Sequence, residues 1–272
     1  MALIAVLWVV AALSVLVTGM SRTSRGEVRT VAAEKQMLQA RAVGDAAINL
    51  ALQELAGQQV RTTRALVADL AYQGVSVRVA VAPLNGWIDL NTAPQPLLAR
   101  LYETAGGVAP DAAQRLAQLT VEVREQRDGQ GQAQRFEASE ELLRVPGVDY
   151  DLYARLSPLV TVYSGASGRV NPLAAPAGVL AVLSGGNEAV ALRVIQDRGA
   201  GGDQVDTTAL DPAFVAISPS RRYRLEAAVP LAEGGTLQMV RVVDVGTSTR
   251  DGLPWRTLQS SNLQTFLPRV SQ

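Results

Sequence analysis

The first 21 residues of this 272-residue chain carry no charged side chain, and Ala2 to Val17 is apolar except for Ser14. As a helix rising 1.5 Å per residue, this segment would span roughly 31 Å, close to the ~30 Å hydrocarbon core of a bilayer. Its apolar residues cover every side of such a helix, which a stripe facing a protein core would not require. The sequence therefore predicts that residues 1–21 cross a membrane. A cleaved secretory signal is the alternative, although the apolar run is longer than usual for one and no small-x-small site follows.

The helical pattern continues beyond this span and becomes amphipathic. From Glu27 to Leu55, apolar residues recur mostly three or four positions apart, without proline, and Gly57 is the expected end of the helix. Three arginines at positions 22–29 follow the span. The positive-inside rule taken alone then places the rest of the chain in the cytoplasm, whereas a basic leader before the span would reverse that orientation.

The charge balance and two missing residue types exclude several classes of protein. The chain has 25 basic and 25 acidic residues, and it has no His and no Cys. A net charge of zero does not support bulk attraction to nucleic acid. Disulfides, zinc sites and catalysis by imidazole or thiolate are excluded. No nucleotide-binding loop and no catalytic carboxylate pair stand out, so we expect no enzymatic activity and no required cofactor.

The rest of the sequence predicts a strand, a helical block and further strands. Alternating valines predict a strand from Tyr72 to Ala82 that Pro83 closes, and alternation resumes at Tyr223–Val229. The other predicted strands are Thr236–Val245 and Leu253–Leu258. The predicted helices are Gln95–Thr104, Asp111–Arg127, Ser139–Val145, Tyr150–Ser157, Pro176–Leu183 and Glu188–Arg198.

This order of elements predicts an α+β fold. A long N-terminal helix, membrane-spanning in its first half, would pack on an antiparallel sheet, and an all-helical domain would be inserted into that sheet. The expected parts are the span at 1–21, the amphipathic helix and first strand at 22–85, the inserted helical domain at 86–216 and the remaining strands at 217–272.

The helical block contains a weak internal repeat. Trp87–Leu101 resembles Arg169–Leu183, and in both segments an Ala-Pro step is expected to start a helix, with the proline in its first turn. A second helix follows each of them. Chance similarity in an Ala-, Leu- and Pro-rich chain is the alternative.

Two motifs in the block have competing explanations. Leu142–Val148 outlines a helix-hairpin-helix turn, whose amides can hold a nucleic-acid phosphate. Five acids and three bases between Arg135 and Arg155 favour a purely structural turn. A Gly-rich loop carries three aspartates that are candidate Ca²⁺ ligands, although their spacing matches no calcium-loop template and a solvated acidic loop is the simpler interpretation. They are Asp203, Asp206 and Asp211.

Three sequence runs carry a resemblance to a known family. They are IDLNTAP at Ile88–Pro94, EELLRVPGVDYDLYARLSPLVTV at Glu140–Val162 and GRVNPLAAPAGVLAVL at Gly168–Leu183. Together with the uncharged N-terminal helix, they resemble the minor pseudopilin K family (GspK) of type II secretion over nearly the whole chain. The resemblance implies a pilin-like fold and a protein that caps and helps to nucleate the periplasmic pseudopilus.

The resemblance also implies a location and partners. The chain would be a single-pass protein of the bacterial inner membrane with a periplasmic body. Its partners would be the I- and J-class minor pseudopilins, the pseudopilus and the inner-membrane assembly platform, with no nucleic acid and no small-molecule substrate. Major pilins carry Glu at the fifth mature position. If Met1 stands near the first mature position, the corresponding residue here is Ala5, and this implies a place at the tip.

The expected assembly site is the apolar helix itself, which would pack against helices of the partner subunits. Its residues are Ala2, Leu3, Ala5, Val6, Val9, Val10, Leu13 and Val17. Two other functions remain open at this point. One is a minor pilin of a type IV pilus, and the other is a membrane-tethered helix-hairpin-helix protein that binds DNA.

Overall fold

The structure is a computed structural model that describes residues 31, 33–127, 129, 131–199, 205–231, 234–246, 249 and 252–265. The predicted membrane span at 1–21 lies outside these ranges. Inside them, no helix combines the length and the apolar character needed to cross a bilayer. The described part combines helices with an antiparallel sheet, as the α+β prediction expects.

The first described helix, α1, covers residues 31 and 33–57 and ends at the predicted glycine. The other described α-helices are α2 (Gln95–Thr104), α3 (Pro110–Glu125), α4 (Tyr150–Leu156), α5 (Ala177–Leu183) and α6 (Glu188–Gly199). The described strands are β1 (Leu66–Tyr72), β2 (Val75–Pro83), β3 (Ile88–Asp89), β4 (Val160–Thr161), β5 (Arg222–Pro230), β6 (Thr236–Val245) and β7 (Trp255–Thr265). Short 3-10 helices lie at Leu84–Gly86, Ser139–Arg144 and Ser157–Leu159.

Five strands form an antiparallel sheet with the order β1-β2-β5-β6-β7. Alternate residues of β2, β5 and β6 are buried beneath α1, which packs its apolar stripe against them. That stripe consists of Ala40, Val43, Ala47, Ile48, Leu52 and Leu55. Close approach depends on Gly44, because a Cβ there would overlap Sδ of Met239. We call α1 and these five strands the sheet body.

Residues 84–221 form a second unit, here called the helical body. It is inserted between β2 and β5, which pair directly, with Pro83 opposite Tyr223. Its apolar core is separate from that of the sheet body and draws on α2 to α6 and the segments between them. A small cluster connects the two bodies. It consists of Ala82, Leu84, Trp87 and Val242.

Two strands of the sheet differ from the sequence prediction. The predicted strand from Tyr72 to Ala82 is interrupted by a turn at Gln73 and Gly74, whose φ angles are 48° and 79°. Two successive positive φ values are typical of a two-residue hairpin turn. Strand β1, which precedes this turn, was not predicted, and β7 extends seven residues beyond the predicted Leu258, to Thr265.

The helical body also differs in detail. Ser139–Arg144 is a 3-10 helix instead of an α-helix, and Pro146 follows it closely. Proline disfavours helical backbone in the residue before it, which limits the segment to a short element. The body is not all-helical, because β3 and β4 form a parallel pair. The remaining predicted helices are present, with ends that differ by at most two residues.

Candidate functional site

The predicted internal repeat is present as two equivalent turns. An Oδ1 atom of Asp89 accepts a hydrogen bond from the backbone N–H of Asn91 at 2.8 Å. Asn171 accepts the corresponding bond from the N–H of Leu173 at 3.1 Å. The residue before each turn makes a parallel β-contact, and an Ala-Pro step follows each turn. The prolines are N-cap residues of α2 and α5, one position earlier than the helical turn in which the sequence placed them.

The run IDLNTAP therefore has a structural role. The Asp89 carboxylate is 4% exposed, and its Oδ2 accepts hydrogen bonds from the N–H and the hydroxyl of Ser164 at 3.0 and 2.6 Å. The amide side chain of Asn91 exchanges two hydrogen bonds with the backbone of Phe136. These bonds hold two distant loops against the start of α2.

Two arginines complete the repeat, and the sequence analysis did not identify them. Arg124, in the last turn of α3, donates to the carbonyl oxygens of Leu90 and Ala93 at 2.9 and 2.8 Å. Arg198, in the last turn of α6, donates to the carbonyl of Ala175 at 2.7 Å. Burial lowers the pKa of both guanidinium groups from its ordinary value. The sequence contained one signal for these two arginines, because each lies at the end of the second helix of its repeat.

The helix-hairpin-helix turn is anchored in the apolar core. Leu142, Val145 and Val148 are buried, and Gly147 has a φ of 93°. The N–H groups of Val145 and Val148 already donate to carbonyl oxygens within the turn. Asp149 caps α4 by accepting from the N–H of Leu152 at 2.7 Å. These bonds account for the motif as a structural connection between two helical segments.

The three calcium candidates are not brought together as a described cluster. Asp203 lies outside the described residues. Asp206 accepts hydrogen bonds from the N–H and the hydroxyl of Thr208, which lower the pKa of its carboxyl group. Asp211 pairs with Arg100 at 3.0 Å. Among the described residues no group of three metal-ligating side chains is close enough to hold a metal ion, and calcium binding by these aspartates stays a prediction.

The contact between the two bodies includes a buried carboxylate that the sequence analysis missed. Asp244 of β6 is 4% exposed and accepts hydrogen bonds from Arg221 at 3.0 Å and Arg222 at 3.2 Å. Arg222 also donates to the carbonyl of Tyr163 in the helical body at 2.6 Å. On the same side, Asn85 donates to the carbonyl of Ser218 at 2.9 Å. A polar cavity of about 350 Å³ lies among these residues.

The residues predicted as the assembly site, from Ala2 to Val17, lie outside the described ranges. The described part of the same helix nevertheless has a second, exposed apolar stripe. Val31 and Leu38 are 63% and 65% exposed, with Lys35 between them. This stripe is on the side of α1 away from the sheet. It is available for contact with another subunit.

An apolar groove lies between α1 and the sheet edge formed by β1. It has a volume of about 410 Å³. One wall is α1, and the floor consists of side chains of β1 and β2. The groove is lined by Leu50, Ala51, Glu54, Leu55, Gln58, Leu66, Ala68, Leu70, Val79 and Val81. The sequence analysis could not identify this surface because it did not predict β1.

Comparison with known proteins gives a structural relative. No protein-family model matches the chain, and no curated protein matches it. Its fold is similar to that of a chain in the crystal structure of the GspK-GspI-GspJ complex from the type 2 secretion system of enterotoxigenic Escherichia coli. The TM-score is 0.54 at 16% sequence identity, over 86% of this chain and 99% of that chain. At this identity, the similarity establishes a shared fold.

Proposed function

We propose that the chain is a minor pseudopilin of a type II secretion system that caps the periplasmic pseudopilus and helps to nucleate it. The observation that carries this proposal is the shared fold with a chain of the GspK-GspI-GspJ complex, which extends over 99% of that chain. The three sequence runs that resemble the K family also support it, and two of them form the equivalent turns of the helical body.

The proposed mechanism is assembly by helix packing. Before assembly, residues 1–21 reside in the inner membrane. During assembly they pack laterally against helices of the I- and J-class subunits, and contacts between helices replace contacts with lipid at little net cost in free energy. If Met1 stands near the first mature position, Ala5 offers no carboxylate to a neighbouring N-terminal amine, and a subunit placed above this one would keep an unpaired ammonium. A tip position, with the helical body at the end of the fibre, avoids that cost.

The proposal places both bodies in the periplasm, anchored by one inner-membrane helix. It assigns no enzymatic activity, no required cofactor and no nucleic-acid or small-molecule partner, and calcium remains a candidate ligand. The anchored turn at Leu142–Val148 supports a structural role for the motif that would otherwise suggest DNA binding.

Co-purification tests the proposed partners. The full chain is tagged, expressed in membranes with the I- and J-class minor pseudopilins, solubilised in detergent and captured. We expect both partners in the eluate, and none with a tagged single-pass protein carrying an unrelated periplasmic domain. Recovery of neither partner refutes the proposal. Recovery of type IV pilus minor pilins instead, in a parallel expression, supports the pilus alternative.

Two further measurements test location and the DNA alternative. Alkaline phosphatase fused after Gln272 should be active, because the disulfides that this enzyme needs form in the periplasm and not in the cytoplasm. Activity of only a cytoplasmic reporter at the same position contradicts the proposed orientation. Retention of the solubilised chain on DNA at low salt, lost at high salt, would favour the DNA-binding function.

A further inference from the structure

The helical body exposes an aromatic surface at the start of α4. Tyr150 is 71% exposed and is the only aromatic side chain among the large exposed apolar residues of the described part. The ring of Tyr153 lies beside it, with the two ring centroids 6.2 Å apart and the planes tilted by 51°. Leu152 and Leu156 hold α4 to the core, and Tyr150 takes no part in that packing. Its ring is therefore available to another molecule.

A carboxylate lies beside this aromatic surface. Glu140 belongs to the 3-10 helix Ser139–Arg144, which packs against α4. Residues three positions apart in a 3-10 helix lie above one another, so the exposed Leu143 shares a face with Glu140. Burial raises the pKa of the Tyr153 phenol, a hydrogen bond with Ser139 opposes this rise, and the nearby Glu140 carboxylate adds to it. Tyrosine rings and a carboxylate therefore share one surface.

A third tyrosine and two more glutamates extend the surface. The hydroxyl of Tyr163 donates to the backbone carbonyl of Glu137 at 2.8 Å. Burial raises the pKa of this phenol, and the carboxylates of Glu140, Glu137 and Glu141 raise it further. Glu141 pairs with Arg144 at 3.5 Å, whereas Glu137 and Glu140 form no ion pair with any described residue. Three carboxylates and one guanidinium give this surface a net charge of minus two.

The chemistry of the surface specifies a cation that is planar. We call Tyr150, Tyr153, Tyr163, Glu137 and Glu140 the tyrosine–glutamate patch. Aromatic rings attract cations to their faces, and carboxylates accept charge-assisted hydrogen bonds. A guanidinium can stack on a ring while its N–H groups donate sideways to carboxylates, which an ammonium cannot do. A metal ion matches the patch less well, because the described residues include no group of three acidic side chains close enough to hold one.

We propose that the tyrosine–glutamate patch binds an arginine-bearing segment of another protein. Charge complementarity selects this occupant, because a neutral apolar segment would cover carboxylates that have no partner. A nucleic acid or an acidic segment would be repelled by the same carboxylates. The patch lies on the helical body and uses none of the helix contacts that the proposed assembly requires. Its test can therefore fail while the proposed function stands.

Binding of model peptides tests the patch. The full chain, solubilised in detergent, is titrated into a fluorescein-labelled peptide of four Gly-Arg repeats, and fluorescence anisotropy measures the affinity. We expect saturable binding that weakens as salt is added. The corresponding Gly-Lys peptide should bind at least about threefold more weakly, and a peptide with uncharged citrulline in place of arginine should not bind. No saturable binding of the arginine peptide, or equal affinity for either of the other peptides, overturns the proposal.

Substitutions in the patch locate the binding. Tyr150→Ala removes the exposed ring and should weaken binding of the arginine peptide by about 3- to 10-fold, whereas Tyr150→Phe keeps a ring face and should retain it. Leu192→Ala is the control, because Leu192 is an apolar side chain of α6 that is 56% exposed. Glu140→Gln should weaken binding about threefold, and Glu188→Gln, at an exposed position of α6, should not. Unchanged binding by Tyr150→Ala and Glu140→Gln, or equal losses in their controls, overturns the proposal.

Discussion

Arg198 makes at the end of α6 the contact that Arg124 makes at the end of α3. Each guanidinium turns back to the carbonyl of the alanine in the Ala-Pro step before its own helix pair, at 2.7 Å for Ala175 and 2.8 Å for Ala93. Each arginine thereby connects the end of the second helix of its pair to the start of the first helix. The helical body consists largely of two units of this kind, which pack together through α2 and α5.

Replacing Arg124 should test this connection. Arg124→Met keeps the length of the side chain but leaves the carbonyls of Leu90 and Ala93 without their donor, and should lower the free energy of unfolding by about 1–3 kcal/mol. Arg115→Met, at an exposed position on the same helix, should change it by less than about 0.5 kcal/mol. Urea denaturation followed by circular dichroism measures both. Equal losses would contradict the role of Arg124.

Tyr102 should make stability depend on alkaline pH. Its hydroxyl bonds to Thr120 at 2.7 Å, and burial raises the pKa of the phenol from 10.0 to about 12, against a smaller opposing effect of that bond. The folded state favours the neutral phenol, so the stabilisation is complete below pH 10 and is lost between pH 10 and 12. The unsubstituted chain should lose up to about 3 kcal/mol more over this interval than Tyr102→Phe.

Urea midpoints at pH 9, 10, 11 and 12 measure this difference. Tyr150→Phe is the control, because its ring is 71% exposed. That variant should follow the profile of the unsubstituted chain. Identical pH profiles for Tyr102→Phe and the unsubstituted chain would show that the buried phenol does not control the alkaline transition.

Gly86 should tolerate no side chain. A Cβ at this position would lie 2.6 Å from the carbonyl oxygen of Ala174 and 2.8 Å from the backbone nitrogen of Ala175, where rigid backbone cannot move aside. Gly86→Ala should destabilise the protein by at least about 1–3 kcal/mol. Gly57→Ala, with open space around its Cβ and a helical backbone, should be neutral or stabilising by about 0.5–1 kcal/mol. Thermal melts of the two variants decide, and a stable Gly86→Ala protein would argue against the close contact.

Asp244 should be the most important carboxylate between the two bodies. Asp244→Ala leaves two arginines without their shared buried partner and should cost about 3 kcal/mol, the lower end of the range for buried pairs because both guanidinium groups are partly exposed. Asp69→Ala removes an exposed pair with Arg78 and should cost less than about 1 kcal/mol. Chemical denaturation compares the two, and a loss for Asp244→Ala no larger than for Asp69→Ala would refute the assignment.

Periodicity predicted the elements that have one buried face. Strand β6 and helix α2 have the predicted ends, because regular alternation and a helical stripe reflect burial directly. Strand β1 could not be recognised in the same way, since most of its residues are exposed on both faces and carry no pattern of burial. Residues 259–263 of β7 are mainly polar and are exposed, as an outer strand allows.

The candidate sites were harder to predict than the fold. Asp244 and Arg222 are brought together by strand pairing, and Arg124 reaches carbonyls more than thirty residues earlier in the chain. These contacts join residues that lie far apart in the sequence, and a pattern within a short segment does not reveal them. The groove depends on the lateral position of α1 on the sheet, which follows from tertiary packing alone. The repeat was predictable because both of its copies keep an Ala-Pro step and an Asx residue at equivalent positions.

The pairing of Pro83 with Tyr223 has a mechanical consequence. In the topology of the sheet, β2 and β5 form one antiparallel hairpin, and the entire helical body is the loop that connects them. A force on that body directed away from the sheet would pass into two adjacent strand ends and be shared by the backbone hydrogen bonds between β2 and β5. The same geometry lets the body change size without any alteration of strand order.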